Sequence, residues 1–326
     1  MAVMSAPDSA IVRRPRRRLL FRLLLLLLVV IAVAAVIEIG LRLTGVLVRG
    51  RDAASGERIS PDIHTVILCV GDSHTLGSRA PKGLDYPSQL EMQLNLADRV
   101  RGYRVVNLGR SGANSSMVLN QTVRYLAKAE RTPDVIIFNA GFNNCWNFEE
   151  ASVLPRNIAA GSLHAQFRYL AAQSRLLRFS RITVSRIEQL ARSSESQISD
   201  AQSSQILNVH DETEIAFLTD WVYRDLVRLD REARGKGARL VLLSYWNNIR
   251  WVDAAFRRMT QTQGAPLIDV HNFGEPTTES WNTRPVALAA PDFHPNKYGY
   301  ARIAQLVAQA LFDRGLIPPA QAPKVR

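Results

Sequence analysis

Four short stretches of this chain carry residue types that nucleophilic chemistry needs. Gly71-Asp72-Ser73-His74 sets an acid, a hydroxyl and an imidazole within one turn, directly after the apolar run "TVILCV". "NLGRSGANSS" (107–116) is rich in small residues and amides. "NAGFNNC" (139–145) carries two adjacent amides, and "APDFHPNKYGY" (290–300) brings a second imidazole behind an acid. A serine hydroxyl is a poor nucleophile at neutral pH unless a base takes its proton. The oxyanion created by its attack on an acyl carbon needs fixed hydrogen-bond donors. Taken singly, each stretch has a plainer reading. Gly-Asp-Ser is common in turns, Gly112 suits a tight turn, Asn143 suits a helix cap, and His294 beside Pro295 suits a surface loop. Only their convergence would give them a joint role.

The elements around them supply a reason for convergence. Strand-like runs occur at 65–70, 104–107, 134–140, 239–245 and 266–270, and most are continuously apolar, the pattern of strands covered on both faces. Helical patterns lie between and after them at 87–100, 113–130, 215–233, 249–262 and 297–314. Five strand-helix units in order predict an α/β fold, a flavodoxin-like, doubly wound parallel five-stranded sheet. In such a sheet, ligands bind beyond the carboxyl ends of the strands. Three of the four stretches follow strands one, two and three, so all would meet at one edge. Residues 146–211 are too many for a simple crossover and contain "QFRYLAAQSRLLRFSRITVSRIEQLAR" followed by a Ser-rich run. They read as a helical insertion, a solvated pair with a linker, the alternative being a cap on the sheet edge or a rest on anionic headgroups.

This ordered set of blocks resembles the SGNH hydrolases, also called GDSL-type esterases, over about residues 66–307 with the insertion excepted. "GDSHTLG" with "YPSQLEMQL", then "NLGRSGANS" and "HPNKYGYARIA", are most similar to the membrane-anchored members. The resemblance implies ester hydrolysis or acyl transfer through a serine nucleophile. Position by position it implies Ser73 as nucleophile, Gly112 and Asn143 as oxyanion donors, and His294 as base with Asp292 behind it. Physical reasoning agrees: the Ser73 N–H at a helix start, the Gly112 N–H where no Cβ intervenes, and the Asn143 amide could each hold an oxyanion. The nucleophile elbow of the other common serine fold is absent, because Thr75 stands where its second glycine would be.

Two positions depart from the family pattern. Asn144 replaces the acid that usually ends the third block, and it can bond locally but supplies no charge. Pro291 holds the place three residues before the histidine where an Asp is usual, and Asp292 stands two before it. In an extended segment residues i and i+2 share a side, so Asp292 could still orient the imidazole, a backbone carbonyl being the alternative. His74 is expected to line the substrate pocket. The other histidines, His64, His164, His210 and His271, lack metal-ligand spacing, and neither a metal nor a cofactor is expected.

Charge and hydropathy locate the chain. Of its 326 residues, 41 are Lys or Arg and 29 are Asp or Glu, a formal net charge of +12. The first 50 residues hold eight Arg and two acids, so the body is only mildly basic and shows no basic stripe with interleaved aromatics. Nucleic acid is therefore not an expected partner. The basic leader (1–18) precedes an apolar segment (19–48) with an uncharged core from Leu23 to Ile37; counted from Leu19, with Arg22 snorkelling to the interface, nineteen residues span roughly 28 Å. That approaches the ~30 Å hydrocarbon core of a bilayer. Six Arg between Arg13 and Arg22 predict a cytoplasmic N-terminus and an extracytoplasmic body spanning 60–318, with 319–326 as a tail. A cleaved signal peptide is the rival, through Ala32-Val33-Ala34, but Val36, Ile39, Leu41 and Leu47 continue the apolar character past that point. The expected partners are thus an acyl-ester substrate, glycan or lipid, and the inner membrane. Cys69 and Cys145 suggest no disulfide framework and are expected as buried free thiols.

Overall fold

The computed structural model describes residues 15–52, 59–60, 62–152, 174–177, 180, 212–274 and 294–318. Five parallel strands, β1 (Ile63–Gly71), β2 (Gly102–Gly109), β3 (Val135–Asn139), β4 (Arg239–Leu243) and β5 (Leu267–Ile268), form one sheet in the order β2-β1-β3-β4-β5. This is the flavodoxin-like arrangement expected from the alternating pattern. Val66, Ile67, Leu68 and Cys69 are completely buried, as are Ile136, Ile137 and Phe138 on β3. A strand walled in on both sides cannot alternate, which is why these runs are apolar throughout.

Two helical layers supply the walls. On one face α3 (Tyr86–Ala97) and α7 (Lys297–Asp313) cover Ile67, Cys69, Val105 and Ile137 through Leu90, Leu94, Ile303 and Val307. On the other, α4 (Ser115–Leu126), α5 (Glu212–Gly235) and α6 (Arg250–Gln263) cover Leu68, Val70, Phe138 and Leu242 through Met117, Val222, Leu226 and Phe256. Each such fully buried aliphatic or aromatic side chain contributes on the order of 1.5–3 kcal/mol. Side-chain caps start the helices: Asp85 accepts from the Ser88 N–H, Asn114 from Met117, and Asn296 from Tyr298 and Gly299.

Several limits differ from the sequence pattern. β5 is two residues long where 266–270 reads as strand, since the chain turns at His271–Gly274 with Asn272 and Phe273 at φ 51° and 56°. That left-handed pair is held by the Phe273 ring stacked on Trp246 and by the Asn272 N–H on the Trp246 carbonyl. Helix α3 stops at Ala97, not 100, because Asp98 turns inward, and α4 stops at Leu126, short of 130. Cys69 is a buried free thiol as expected, whereas Cys145 is only partly buried. Burial pushes both thiols up to about 12.

Preceding the sheet, α1 runs from Pro15 to Asp52, and no residue of its apolar window is buried. Most of the 146–211 insertion lies outside the described residues. Its described residues are 146–152, 174–177 and 180, and residues 174–176 contact α1 at Glu38.

Candidate active site

All three loops that follow β1, β2 and β3 open at one edge, with the β4 end beside them. β1 delivers Asp72 and Ser73. Gly71 is required there because a Cβ would stand 2.1 Å from the Thr75 hydroxyl and 2.3 Å from the Asn139 carbonyl. Strand and short helix thus approach more closely than any side chain permits. Helix α2 (Ser73–Leu76) begins at the nucleophile candidate, with Asp72 as its N-cap accepting from the His74 N–H at 2.9 Å. Asn107 on β2 ties this turn down, donating to the Thr75 carbonyl at 2.9 Å.

His294 arrives from the far end of the chain. It sits two residues before the α7 cap Asn296, and α7 is anchored to the turn after α2 by the Tyr300 hydroxyl on the Ser78 carbonyl (3.0 Å). The result is a 2.9 Å contact between His294 Nε2 and Ser73 Oγ, two half-buried groups separated by 221 positions in sequence. A neutral imidazole protonated on Nδ1 accepts the serine proton through Nε2 in this geometry. Asp292, the expected partner of Nδ1, lies outside the described residues.

Gly112 adopts φ +69°, in a turn closed by the Ala113 N–H on the Arg110 carbonyl. Its own carbonyl accepts from Asn147 Nδ2 at 2.7 Å. A Cβ on Gly112 would touch the Trp146 ring at 3.4 Å, so the indole lies over this loop. Asn143, from the single turn Phe142–Cys145 after β3, is buried and directs its Nδ2 to the Ala113 carbonyl (3.0 Å) and to Asp72 Oδ2 (3.3 Å). Trp146 Nε1 donates to Asn143 Oδ1 at 3.0 Å and so fixes which way the amide faces. The structure therefore brings Ser73, Gly112, Asn143 and His294 to one place.

Residues that sequence reasoning missed hold the group together. Asp72 is completely buried and accepts from the Tyr245 hydroxyl at 2.5 Å as well as from His74 and Asn143. Burial first, and the Asp72 charge second, raise the Tyr245 phenol well above its ordinary range, so it stays a donor. Tyr245 had one weak signal in sequence, a polar-tipped ring just past the apolar core of the 239–245 run. His74 is buried beside the base, its ring stacked on His294 at 4.9 Å and edge-on to Tyr245 at 4.9 Å, so it supports the imidazole. Asn144 bonds locally, as its amide allows: its Oδ1 accepts from the Ser115 N–H (2.9 Å) and its Nδ2 donates to the Ser115 hydroxyl (2.7 Å).

The carboxylate absent from position 144 reappears on another element. Asp225 of α5 is buried and accepts from the hydroxyls of Ser115 (2.6 Å), Ser116 (2.7 Å) and Ser152 (2.5 Å). Burial raises its pKa against the opposing effect of these bonds. Through Ser115 and Asn144, this charge braces both the Gly112 loop and the Asn143 turn.

Residues 69–302 match the profile of the GDSL-like lipase/acylhydrolase family, and this stretch is well over half of the chain. The chain belongs to that family. GDSL hydrolases act on ester bonds, which is the chemistry the paired serine and histidine can perform. Among solved structures the chain is similar to a member of the lipolytic protein G-D-S-L family from Veillonella parvula DSM 2008, with 14% identity, 77% of this chain and 99% of that one covered, and a TM-score of 0.43. It is similar to the psychrotrophic esterase EstA from Pseudoalteromonas sp., with 12% identity, coverage of 77% and 98%, and a TM-score of 0.44. A third is the lipase Lip_vut3 from a goat rumen metagenome, with 14% identity, coverage of 76% and 97%, and a TM-score of 0.44. Comparison with curated proteins finds no match.

Proposed function

We propose that this GDSL hydrolase is a membrane-anchored serine esterase of the cell envelope that removes acyl groups, acetyl foremost, from an extracytoplasmic carbohydrate or lipid. The observation that carries the reading is the 2.9 Å contact between Ser73 Oγ and His294 Nε2. Ser73 Oγ attacks the ester carbonyl carbon while its proton passes to His294 Nε2. The resulting oxyanion is held by the Ser73 N–H at the α2 start, the Gly112 N–H and the Asn143 amide, whose 3.3 Å bond to Asp72 is the longer of its two and the one it exchanges. His294 returns the proton to the departing alkoxide as the C–O bond breaks. Water, activated by the same imidazole, then attacks the acyl-serine and restores Ser73. Asp292 is proposed to hold the Nδ1 proton of His294.

The uncovered α1 supports the location. Nothing in the described protein buries its apolar surface, and the Arg cluster at its start favours the cytoplasmic side for the N-terminus. Incubating the purified full chain with 4-nitrophenyl acetate and a serine-directed phosphonate tests the chemistry: acetate release and a phosphonyl adduct on Ser73 are expected. Absence of both overturns the reading. Transfer of acetate to an added sugar hydroxyl in preference to water would reassign the same acyl-enzyme to a transferase.

A further inference from the structure

The link between α1 and the oxyanion loop has a consequence for the substrate. Counting from Leu19, about 20 residues span a ~30 Å hydrocarbon core, which sets Glu38 at its outer boundary. At that level residues 174–176 of the insertion sit on the flank of the helix. Glu38 accepts from the N–H groups of Arg175 (3.1 Å) and Leu176 (2.9 Å) and from the Ser174 hydroxyl (3.0 Å), and Arg42 pairs with it at 2.7 Å. The Arg175 guanidinium donates back to the carbonyls of Leu41 (2.9 Å) and Arg42 (3.2 Å). Helix α1 continues to Asp52, about 21 Å farther. A domain carried on the tip of α1 would stand clear of the membrane; this one is tied, through residues 174–176 of its insertion, to the helix at the level where the lipid headgroups begin.

The same guanidinium reaches the catalytic loops. Arg175 Nη2 pairs with Glu149 Oε1 at 3.1 Å, both side chains being mostly buried. The Glu149 N–H donates to Asn147 Oδ1 (3.1 Å), its carbonyl accepts from Asn114 (2.8 Å), and Asn147 Nδ2 holds the Gly112 carbonyl. Trp146, which lies over Gly112, is a partly exposed aromatic side chain of the kind that favours the membrane interface. From Glu38 to Gly112 the path is thus one arginine, one glutamate and one asparagine long.

We infer that the active-site mouth is held at the headgroup level of the outer leaflet by the Glu38–Arg175–Glu149 link, and that its substrate is an acyl ester carried by a membrane-resident amphiphile. The inference rests on the esterase and anchor readings and narrows the first. A soluble glycan has no need of a mouth at the bilayer surface; an ester on an anchored headgroup is confined to that layer, where its effective concentration is high.

Full-length protein in phosphatidylcholine vesicles tests it. The Trp146 fluorescence, isolated by subtracting a Trp146→Phe variant, should be quenched by lipids brominated near the headgroup, and Glu38→Ala should remove the quenching. Acetate release from an alkyl-acetyl-glycerophosphocholine in the vesicles should fall roughly tenfold in Glu38→Ala, while 4-nitrophenyl acetate in water is cleaved within about twofold of wild type. No quenching in wild type, or no association with the vesicles, overturns the placement of the mouth. Quenching that survives Glu38→Ala overturns the link. Cleavage of the soluble ester without the lipid ester overturns the substrate class. Cleavage of neither removes the esterase reading and the substrate class with it, while the quenching still reports on the mouth.

Discussion

At the scale of single residues, the site depends on one amide facing the right way. Asn143 can donate to an oxyanion only with Nδ2 turned inward, and the Trp146 indole fixes that by donating to Oδ1. Asn143→Ala removes a transition-state donor and should cost about 2.7–4 kcal/mol, a fall of 10²–10³ in kcat with KM little changed. Trp146→Phe keeps an aromatic ring but loses the fixing bond, so kcat should fall roughly fivefold, about 1 kcal/mol, again with KM steady. Steady-state kinetics on a soluble acetyl ester measure both, and a rise in KM without a fall in kcat would contradict the assignment. The Ser73, Gly112 and Asn143 positions were legible because each follows a strand in a characteristic block, and His294 because its block opens the last helix. Trp146 and Asp225 were not, and Tyr245 only faintly, because a residue's worth here is set by what lies across the fold from it, and spacing along the chain carries no record of that.

At the scale of elements, two polar clusters that take no part in the chemistry hold loops in place. Asp225 on α5 gathers three serine hydroxyls from the start of α4 and from Ser152. Asp225→Ala leaves several buried hydroxyls without an acceptor, so stability should drop by about 3 kcal/mol or more, and kcat should fall with it through the loosened Gly112 loop. Denaturant unfolding and kinetics on the same variant measure the two effects. At the other end of the edge, His271 bonds Asp269 at 2.6 Å and faces Asp253 at 3.4 Å. Burial acts to lower the His271 pKa, but the two carboxylates outweigh it and hold it up at about 9. The hydrogen bond from His271 in turn depresses Asp269 to about 2. A raised histidine contributes stability in full below its ordinary 6.5 and loses it as pH rises through about 9; the lowered Asp269 loses its share only as pH falls from 3.8 through about 2. The melting temperature should therefore decline between pH 6.5 and 9, and His271→Gln should flatten that decline. Alternating strands and helices were readable from apolar runs, since burial on both faces writes itself into composition. The brevity of β5 was not, because the left-handed turn at Asn272 and Phe273 is imposed by the stack on Trp246.

At the scale of the whole molecule, the chain divides into an apolar helix that the described protein leaves uncovered and a hydrolase body whose two faces are fully clothed. Exposed leucines and valines along α1, from Leu19 to Leu43, are stable in water only if something else covers them. In the proposed topology lipid covers them, and the six arginines between Arg13 and Arg22 hold the start of the apolar segment on the cytoplasmic side. The competing outcome is removal after Ala34, which would leave Glu38, Leu41 and Arg42 on a short stub with nothing to keep it helical, and the contacts of Arg175 to that helix would lose their rigid partner. A retained anchor should make the mature protein resist extraction from membranes at alkaline pH. Its intact mass should include residues 1–34, and a protease added outside the membrane should cut the body while sparing the basic leader. A mature N-terminus at Ala35 would turn α1 into a targeting signal, release the body from the bilayer, and leave the acyl esters of soluble glycans as its accessible substrates.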